Sequence, residues 1–264
     1  SMVVWSTVSA PERKAFVEGF AYRHHRRLHI TFQCVRSFVT YSAQRLHLAL
    51  NQDPRLVGSL LSQMIEQFDS VESTSQEIVT LFAASTTTAQ LLSWISGLLA
   101  LQPDIQRKLR DEILNFLQRK HGTYVTRQDL DELVFLEAVI NEATRLYPPA
   151  PLMLRQLNDK GDIVILFLWG MHRQSWWWPN AETFWPERWV DNDKPLPAFY
   201  PFGHGPRACI GKGFSQIESK VILIELLRRY ELTTPLTRLP AAKTFIMTRP
   251  SSAIPIHLTQ IARN

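Results

Sequence analysis

The chain has 264 residues, of which 45% are hydrophobic and 20% charged, and its formal net charge is +5. This composition excludes a disordered or fibrous protein, and the length allows a sizeable buried core. Two distant cysteines, Cys34 and Cys209, do not make a disulfide framework and indicate a reducing compartment. The mildly basic balance suits an acidic protein partner or a membrane surface, and we predict no nucleic acid partner.

The N-terminal stretch SMVVWSTVSAPERK lacks the basic start and long apolar run of a secretory signal. A later stretch, which begins at Ile78, is apolar enough to resemble a membrane span. Its middle carries a row of hydroxyl-bearing residues at 85–88, whereas spanning helices need ~20 predominantly apolar residues. We therefore expect a long buried helix in this part of the chain.

Helical signals dominate the first two thirds of the chain. Residues 11–70 are predicted to be helical, although their pattern is poorly marked. A capping box formed by Thr74 and Glu77 predicts the start of the long helix, which continues through about Leu101.

Two further helices are expected after this one. Pro103 opens the first, which ends at Gly122, and the second covers about 129–146. The helical period of apolar residues predicts their buried faces. These are Ile105, Leu109, Ile113 and Phe116 in the first, and Leu133, Leu136, Val139 or Ile140, and Ala143 in the second.

The C-terminal part is predicted to mix short strands with one helix. The run IVILFLWG, 163–170, indicates a short buried strand, and a Trp- and Pro-rich irregular stretch follows it. A helix is expected over 210–230, and the tail suggests two strands around a turn at Pro250 and Ser251. The predicted buried face of that helix comprises Phe214, Ile217, Val221 and Ile224. The fold class is therefore mainly α with a minor β-sheet.

The stretch FGHGPRACIG, 202–211, carries the strongest chemical signal. Cys209 precedes a predicted helix, whose positive end and free N–H groups stabilise a thiolate. Gly205 and Gly211 allow a flat ligand to approach the backbone, and Arg207 offers a fork to a carboxylate. These features together describe a haem site. A buried structural cysteine in a glycine turn is the alternative that the loop alone leaves open.

Four motifs in one order resemble the cytochrome P450 monooxygenases. The loop pattern FxxGxRxCxG is formed here by Phe202, Gly205, Arg207, Cys209 and Gly211. The other three motifs are EATR at 142–145, PERW at 186–189 and AASTTT at 83–88. They resemble the ExxR pair, the PERF element and the oxygen-side helix motif AGxDTT of that family. Their wording is closest to eukaryotic members, fungal ones most of all.

The resemblance covers about 74–261 and implies the C-terminal portion of the cytochrome P450 fold. It implies one haem domain over 1–264 that lacks the family's N-terminal half, with 1–73 as poorly marked helices. The full-length relatives sit on the endoplasmic reticulum membrane. Because no anchor is visible here, we expect a chain on the cytosolic face or in solution. The chain between Arg155 and Met171 is also shorter than in fungal relatives.

By the same resemblance, each site residue receives a role. Cys209 would be the axial ligand of the iron of haem b, and Arg155 and Arg207 would bind its propionates. Glu142, Arg145 and Arg188 would form a structural triad behind the cysteine loop. His172 is expected to be a hydrogen-bonded structural histidine. Residues expected to face the substrate are Phe82, Ala83, Pro151, Leu152 and Ser251.

The implied activity is insertion of one atom of O2 into a lipophilic molecule, with electrons from NADPH through a flavoprotein reductase. A fungal secondary metabolite is one such substrate. Thr87 matches the threonine that assists proton delivery, but Thr86 replaces the acid and Ala84 the glycine of the motif. Two alternatives stay open: a haem-thiolate isomerase or dehydratase that needs no O2, and a non-catalytic haem-binding remnant.

Overall fold

The computed structural model describes residues 71–120, 125–156, 163–190, 198–244 and 247–261. At residues 71–82 it describes the course of the backbone alone. The expectations for residues 1–70, for Cys34 and for the helix end at Gly122 therefore lie outside the described residues. The chain divides into two compact units, 1–85 and 86–264, and the core described below belongs to the second.

Five helices occur in the described residues: α1 (Val71–Leu101), α2 (Pro103–Lys120), α3 (Val134–Leu146), the short α4 (Leu168–Met171) and α5 (Lys212–Leu227). Six strands form three antiparallel pairs. The strands are β1 (Leu152–Gln156), β2 (Ile163–Phe167), β3 (Tyr230–Thr233), β4 (Ala242–Thr244), β5 (Thr248–Pro250) and β6 (His257–Gln260). β1 pairs with β2, β3 with β6, and β4 with β5. This mainly helical architecture with little sheet confirms the predicted class.

The core of the second unit is formed where α1, α2, α3 and α5 bring their apolar faces together. Its fully buried members include Ile95, Leu99, Leu109, Ile113, Phe116, Leu133, Leu136, Val139, Ala143, Leu223 and Leu227. The helical periods of α2 and α3 predicted most of these residues, because a helix on a core buries one stripe along its length.

Side chains from α2 fix the positions of its neighbours. The Glu112 carboxylate accepts the N–H groups of Phe135 and Leu136, at 2.8 and 2.9 Å. It thereby caps the first turn of α3, where the preceding Leu133 provides no side-chain cap. The buried amide of Gln106 donates to the carbonyl oxygens of Leu99 and Leu232, which ties α1 to β3.

Several predicted boundaries were wrong for identifiable reasons. α1 already includes Val71, so Thr74 lies inside the helix and does not cap it. The helix predicted over 129–146 is split: a 3₁₀ turn at Asp129–Glu132 ends at Leu133, whose φ of −87° and ψ of 73° interrupt the helix before α3. α1 is uninterrupted, but no helix among the described residues meets the length and apolarity needed to cross a membrane.

The predicted buried face of α5 was wrong in part, since Ile224 is buried and Ile217 packs against the core, but the other two residues are exposed. α5 buries Lys220, Leu223, Ile224 and others on one side, whereas Phe214 and Val221 are 70% and 45% exposed. The reason is the Lys220 ammonium, which donates to the Leu130 carbonyl and to Glu137, both at 3.0 Å. These bonds compensate its desolvation, and they fix a rotation of the helix that apolar periodicity does not predict.

The strand expected over 163–170 is shorter and less buried than predicted. β2 ends at Phe167, and α4 begins at Leu168. Ile165 and Phe167 are each 44% exposed, because β1 and β2 form a two-stranded sheet with one side open. The tail does contain two strands, β5 and β6, around the predicted turn, but each pairs with a different partner.

Candidate functional site

A buried carboxylate–arginine pair lies on α3. Glu142 and Arg145 lie one turn apart on α3, and both side chains are fully buried. Arg145 donates from Nε to Oε2 at 2.9 Å and from Nη2 to Oε1 at 2.8 Å. This two-pronged geometry is the strongest form of the arginine–carboxylate pair.

A second cation and two tryptophans complete the coordination of this carboxylate. The Nε of Arg188, in the 3₁₀ turn Pro186–Trp189, donates to Oε1 of Glu142 at 3.1 Å. The indole N–H of Trp189 donates to Oε2 at 2.9 Å, and the backbone N–H of Trp185 donates to Oε1 at 3.0 Å. The desolvated charge of Glu142 is therefore compensated on both oxygens. We call this set of groups the Glu142 network.

The two arginines also hold the Trp-rich irregular stretch in place. Arg145 donates to the carbonyl oxygens of His172, Ala181 and Thr183, at 2.7, 2.7 and 3.2 Å. Arg188 donates to those of Pro179 and Asn180, at 2.7 and 3.3 Å. Backbone carbonyls that no strand or helix satisfies thus receive their partners from side chains.

His172 lies in the aromatic packing on this network. Its ring is fully buried against Trp178 and Phe199, with centroids 6.4 and 5.3 Å away. Burial, and then the neighbouring Arg145 charge, lower the pKa of His172 to about 4. Neither ring nitrogen has a hydrogen-bond partner in the described part of the chain, so the expected hydrogen bonding of the imidazole is wrong.

The cysteine loop, residues 202–211, is largely exposed, in contrast to the buried Glu142 network. Gly203 and Gly205 have φ of +72° and +76°, which favour glycine strongly. The Cys209 N–H donates to the Phe202 carbonyl at 2.8 Å and closes the loop. Cys209 itself is exposed and unbridged, three residues before α5 begins. A buried structural cysteine is therefore excluded.

The Sγ atom of Cys209 lies close to the backbone of Gly211. A Cβ added at Gly211 would lie 3.9 Å from that sulfur, which is an ordinary contact. With φ of −84°, Gly211 is not in the left-handed region. The bend requires a glycine most clearly at Gly205, because its φ is positive. The requirement is conformational, since a Cβ there would meet no atom within 4 Å.

Two predicted propionate ligands meet at this loop. Arg155, on β1, has its Nη2 3.5 Å from the carbonyl oxygen of Arg207. Arg207 is exposed in the 3₁₀ turn Gly205–Arg207. Within the described residues neither guanidinium forms an ion pair with a carboxylate, so both charges can take an anionic ligand.

An exposed apolar pair beside the cysteine was missed by the sequence analysis. Ile210 is 98% exposed and Phe214, one turn further on, is 70% exposed. The signal was present, because both were apolar residues near the cysteine, but helical periodicity assigned Phe214 to the core. Large exposed apolar groups next to a reactive residue typically mark a ligand or partner surface.

The residues of the oxygen-side motif lie along α1. Thr86 and Thr87 are half-buried and Ala83 is exposed, whereas Thr88 is buried and its hydroxyl donates to Ser215 of α5 at 3.3 Å. This contact ties the motif helix to the helix that follows the cysteine loop. The side chain of Phe82 lies outside the described residues.

The other expected substrate-facing residues occupy two neighbouring segments. Pro151 is buried and Leu152 is 39% exposed at the start of β1. Ser251 is exposed just after β5, and its N–H donates to the Ala241 carbonyl at 2.8 Å. The Thr248 N–H donates to the Pro149 carbonyl at 3.0 Å, so β5 and the Pro-rich segment lie side by side.

Comparison with known proteins decides the family. The family model described as cytochrome P450 matches residues 11–256, nearly the whole chain. This chain belongs to the cytochrome P450 family. Membership of the family therefore rests on almost the whole sequence and not on the four motifs alone.

This chain matches only part of the length of its curated relatives. Cytochrome P450 4A10 of Mus musculus is 35% identical over 193 residues, which are 69% of this chain and 38% of the relative. Cytochrome P450 3A9 of Rattus norvegicus is 38% identical over 175 residues, or 61% and 34%. Cytochrome P450 4X1 of Rattus norvegicus is 28% identical over 254 residues, or 88% and 50%. The chain thus spans half or less of the length of these relatives.

A solved structure supports the fold. The crystal structure of a cytochrome P450, CYP102L1, is similar with a TM-score of 0.66 and 25% identity. The similarity covers 97% of this chain and 62% of that one. The described architecture is therefore part of the cytochrome P450 fold, as predicted.

Proposed function

We propose that the cysteine loop binds haem b and that Cys209 is the axial ligand of its iron. The observation that carries this proposal is an exposed thiol on a closed loop, where Arg155 reaches the Arg207 carbonyl and neither arginine forms an ion pair within the described residues. A haem needs a soft ligand, cations for two propionates and apolar contact for its ring. Cys209, Arg155 with Arg207, and Ile210 with Phe214 provide these three in turn.

Bound haem with a thiolate ligand supplies reductive O2 activation and insertion of one oxygen atom into an apolar C–H bond, the other leaving as water. The electrons would come from NADPH through a flavoprotein reductase. The residues of this chain hold the site in place. The Glu142 network fixes the segment before the loop, and Gly203 and Gly205 permit the bend, so the loop would need little rearrangement to present the thiol.

Proton delivery would depend on hydroxyl groups of α1. The Thr87 hydroxyl would pass a proton from water toward the oxygen-binding side, assisted by Thr86. A hydroxyl relays a proton but does not supply one as a carboxyl group does. We therefore propose slow proton delivery, with part of the electron flow released as hydrogen peroxide.

The substrate would be a lipophilic small molecule. Pro151 and Leu152 are apolar and Ser251 adds one hydroxyl, which suits an apolar compound with few polar groups. A fungal secondary metabolite fits the wording of the motifs, although the relatives reported above come from mammals. A cytosolic face of the endoplasmic reticulum would bring the chain to a membrane-bound reductase.

The decisive experiment is the carbon-monoxide difference spectrum of the reduced, haem-loaded chain. The parent should show the band of thiolate ligation, and Cys209→Ser should lose it completely. Cys34→Ser is the matched control and should leave the spectrum unchanged. A thiolate-type spectrum from Cys209→Ser would end the proposal, and absence of haem from all three proteins would leave only a non-catalytic remnant that does not hold haem.

A second candidate, an isomerase or dehydratase that needs no O2, is favoured by one observation: Thr86 stands at the position of the family's acid. Under the monooxygenase proposal, Thr86→Asp should raise the fraction of NADPH electrons that reach product, because general acid assistance is worth roughly 10²–10⁴-fold. Peroxide release and NADPH consumption measure this fraction. Turnover by the parent without NADPH, unchanged in Thr86→Asp, would instead support the second candidate.

A further inference from the structure

Two helices that adjoin proposed functional residues meet at a polar contact. The Thr88 hydroxyl of α1 donates to the Ser215 hydroxyl of α5 at 3.3 Å, and 127 positions separate the two residues in the sequence. Both residues belong to the second compact unit. Thr88 directly follows Thr87, the proposed proton relay, and Ser215 lies in the first turn of α5, shortly after Cys209. The contact therefore joins the two segments that the proposed function requires.

Thr88 marks the point where α1 becomes buried. Thr86 and Thr87 are half-buried, whereas Thr88 is 4% exposed. Leu91 and then Ile95 continue the buried stripe at intervals of three and four residues. Consecutive residues of an α-helix lie ~100° apart around its axis, so burial of Thr88 turns the Thr87 side chain away from the contact. The Thr88 bond thus fixes the rotation of α1 that sets the direction of the Thr87 hydroxyl.

The Thr88 bond differs from those of two serines further along α1. Ser93 and Ser96 donate to the carbonyl oxygens of Ala89 and Leu92, both at 2.8 Å and both in the same helix. This is a common way to satisfy a hydroxyl inside a helix, and it positions nothing outside that helix. The Thr88 hydroxyl contributes a bond to a second helix, and its burial keeps water from competing for that bond.

The backbone connects Ser215 closely to Cys209. The Ser215 N–H donates to the Gly211 carbonyl at 2.9 Å. The Lys212 N–H donates to the Cys209 carbonyl at 3.4 Å. These bonds restrict the chain between the hydroxyl that α1 contacts and the thiol. A displacement of α1 is therefore passed on to the cysteine loop.

We propose that Thr88 is a positioning residue, which acts through Ser215 to hold α1 and the turn with Cys209 in one arrangement. The inference rests on the proposed haem binding, since the arrangement matters to function only if both segments serve that group. A binding site that is ordered in advance loses less entropy than one that the ligand must order. With the bond in place, the thiol would meet the iron in a single geometry. Without the bond, part of the bound haem would lose its thiolate ligand.

The first measurement tests the contact in the ligand-free chain, by a double-mutant cycle of Thr88→Val and Ser215→Ala. Urea unfolding should show a coupling of roughly three- to ten-fold in the unfolding equilibrium constant, as expected for one hydrogen bond. Thr248→Val is the matched control, because Thr248 is a buried threonine whose hydroxyl has no hydrogen-bond partner in the described part of the chain. Its effect should simply add to that of Ser215→Ala. Additive effects of Thr88→Val and Ser215→Ala would overturn the contact.

The second measurement tests positioning in the haem-loaded chain. The reduced carbon-monoxide spectra are compared at equal haem content, so that a loss of stability does not enter the comparison. Thr88→Val and Ser215→Ala should each lose part of the band of thiolate ligation that the parent shows. Thr88→Ser retains a hydroxyl and should recover the parent band, and Thr248→Val should keep it. A full thiolate band in Thr88→Val would overturn the positioning role.

The same spectra separate this inference from the proposed function. If the parent shows the band and Cys209→Ser loses it, haem ligation holds and the Thr88 variants alone decide the positioning role. If the parent binds haem without the band, the proposed function fails and the positioning role fails with it. Circular dichroism checks the fold of each variant. Ser215→Ala, at a half-buried position, provides the same comparison if Thr88→Val does not fold.

Discussion

The Glu142 network and the cysteine loop differ in how their polar groups are satisfied. In the network, every oxygen of the Glu142 carboxylate is bonded inside the protein and the side chains are buried. In the loop, the thiol of Cys209 and the guanidinium of Arg207 are exposed. A buried network supports folding by itself, whereas the exposed thiol and cations of the loop fit the ligand proposed above. Stability and the proposed ligand binding therefore reside in separate groups of residues.

The largest expected effect is on the network. Glu142→Ala should lower the free energy of unfolding by ~3–5 kcal/mol, because it leaves Arg145 buried without its carboxylate. Urea unfolding of the ligand-free chain measures it. Glu225→Ala is the matched control, since Glu225 pairs with Arg228 and Arg229 on the surface, and should cost under ~1 kcal/mol. Equal costs for the two variants would break the comparison.

The next effect is a pH dependence of the network. The pKa of His172 is lowered to about 4 in the folded state from an ordinary 6.5, so the unfolded chain binds the extra proton between these values. Because of this group, the free energy of unfolding has its full value above pH 6.5 and decreases as the pH falls toward 4. The total decrease is about 3 kcal/mol. The groups that face the ring are Arg145, Arg173, Trp178 and Phe199.

Urea unfolding from pH 4 to pH 7.5 measures this slope. His172→Phe should remove it, because phenylalanine fills the aromatic site without a proton. His204→Gln, a substitution in the exposed cysteine loop, is the control and should keep the parent slope. A parent slope that survives in His172→Phe would show that other groups cause the pH dependence.

The smallest effect belongs to the loop. Gly205→Ala should lower the free energy of unfolding by ~1–2 kcal/mol, because alanine disfavours a φ of +76° although no atom lies within 4 Å of the new Cβ. Gly213→Ala is the control inside α5, where the added Cβ meets only Arg127 Nη2 at 3.9 Å. It should instead stabilise the chain by ~0.5–1 kcal/mol. If both substitutions change the free energy of unfolding in the same direction, the conformational explanation is contradicted.

The amino-acid sequence by itself determined the fold class, the buried stripes of α2 and α3, and the family. These follow from local spacing: a 3.6-residue period places apolar groups on one side of a helix, and motif order survives without any contact being known. The position of Glu142 and Arg145 on one helix face follows from the same spacing. Such features depend on neighbours in the chain, which a sequence displays directly.

Only the tertiary structure decided which side of α5 is buried. The desolvation of the Lys220 ammonium is compensated by hydrogen bonds to Leu130 and Glu137, which are far away in the sequence. It also decided that Ile210 and Phe214 are exposed beside Cys209, and that His172 lacks hydrogen bonds at its ring nitrogens. It likewise decided the close packing of α1 on the C-terminal segment, where a Cβ at Gly97 would lie 2.7 Å from Leu239 Cδ2. These features depend on desolvation and packing between distant segments, and no local pattern encodes them.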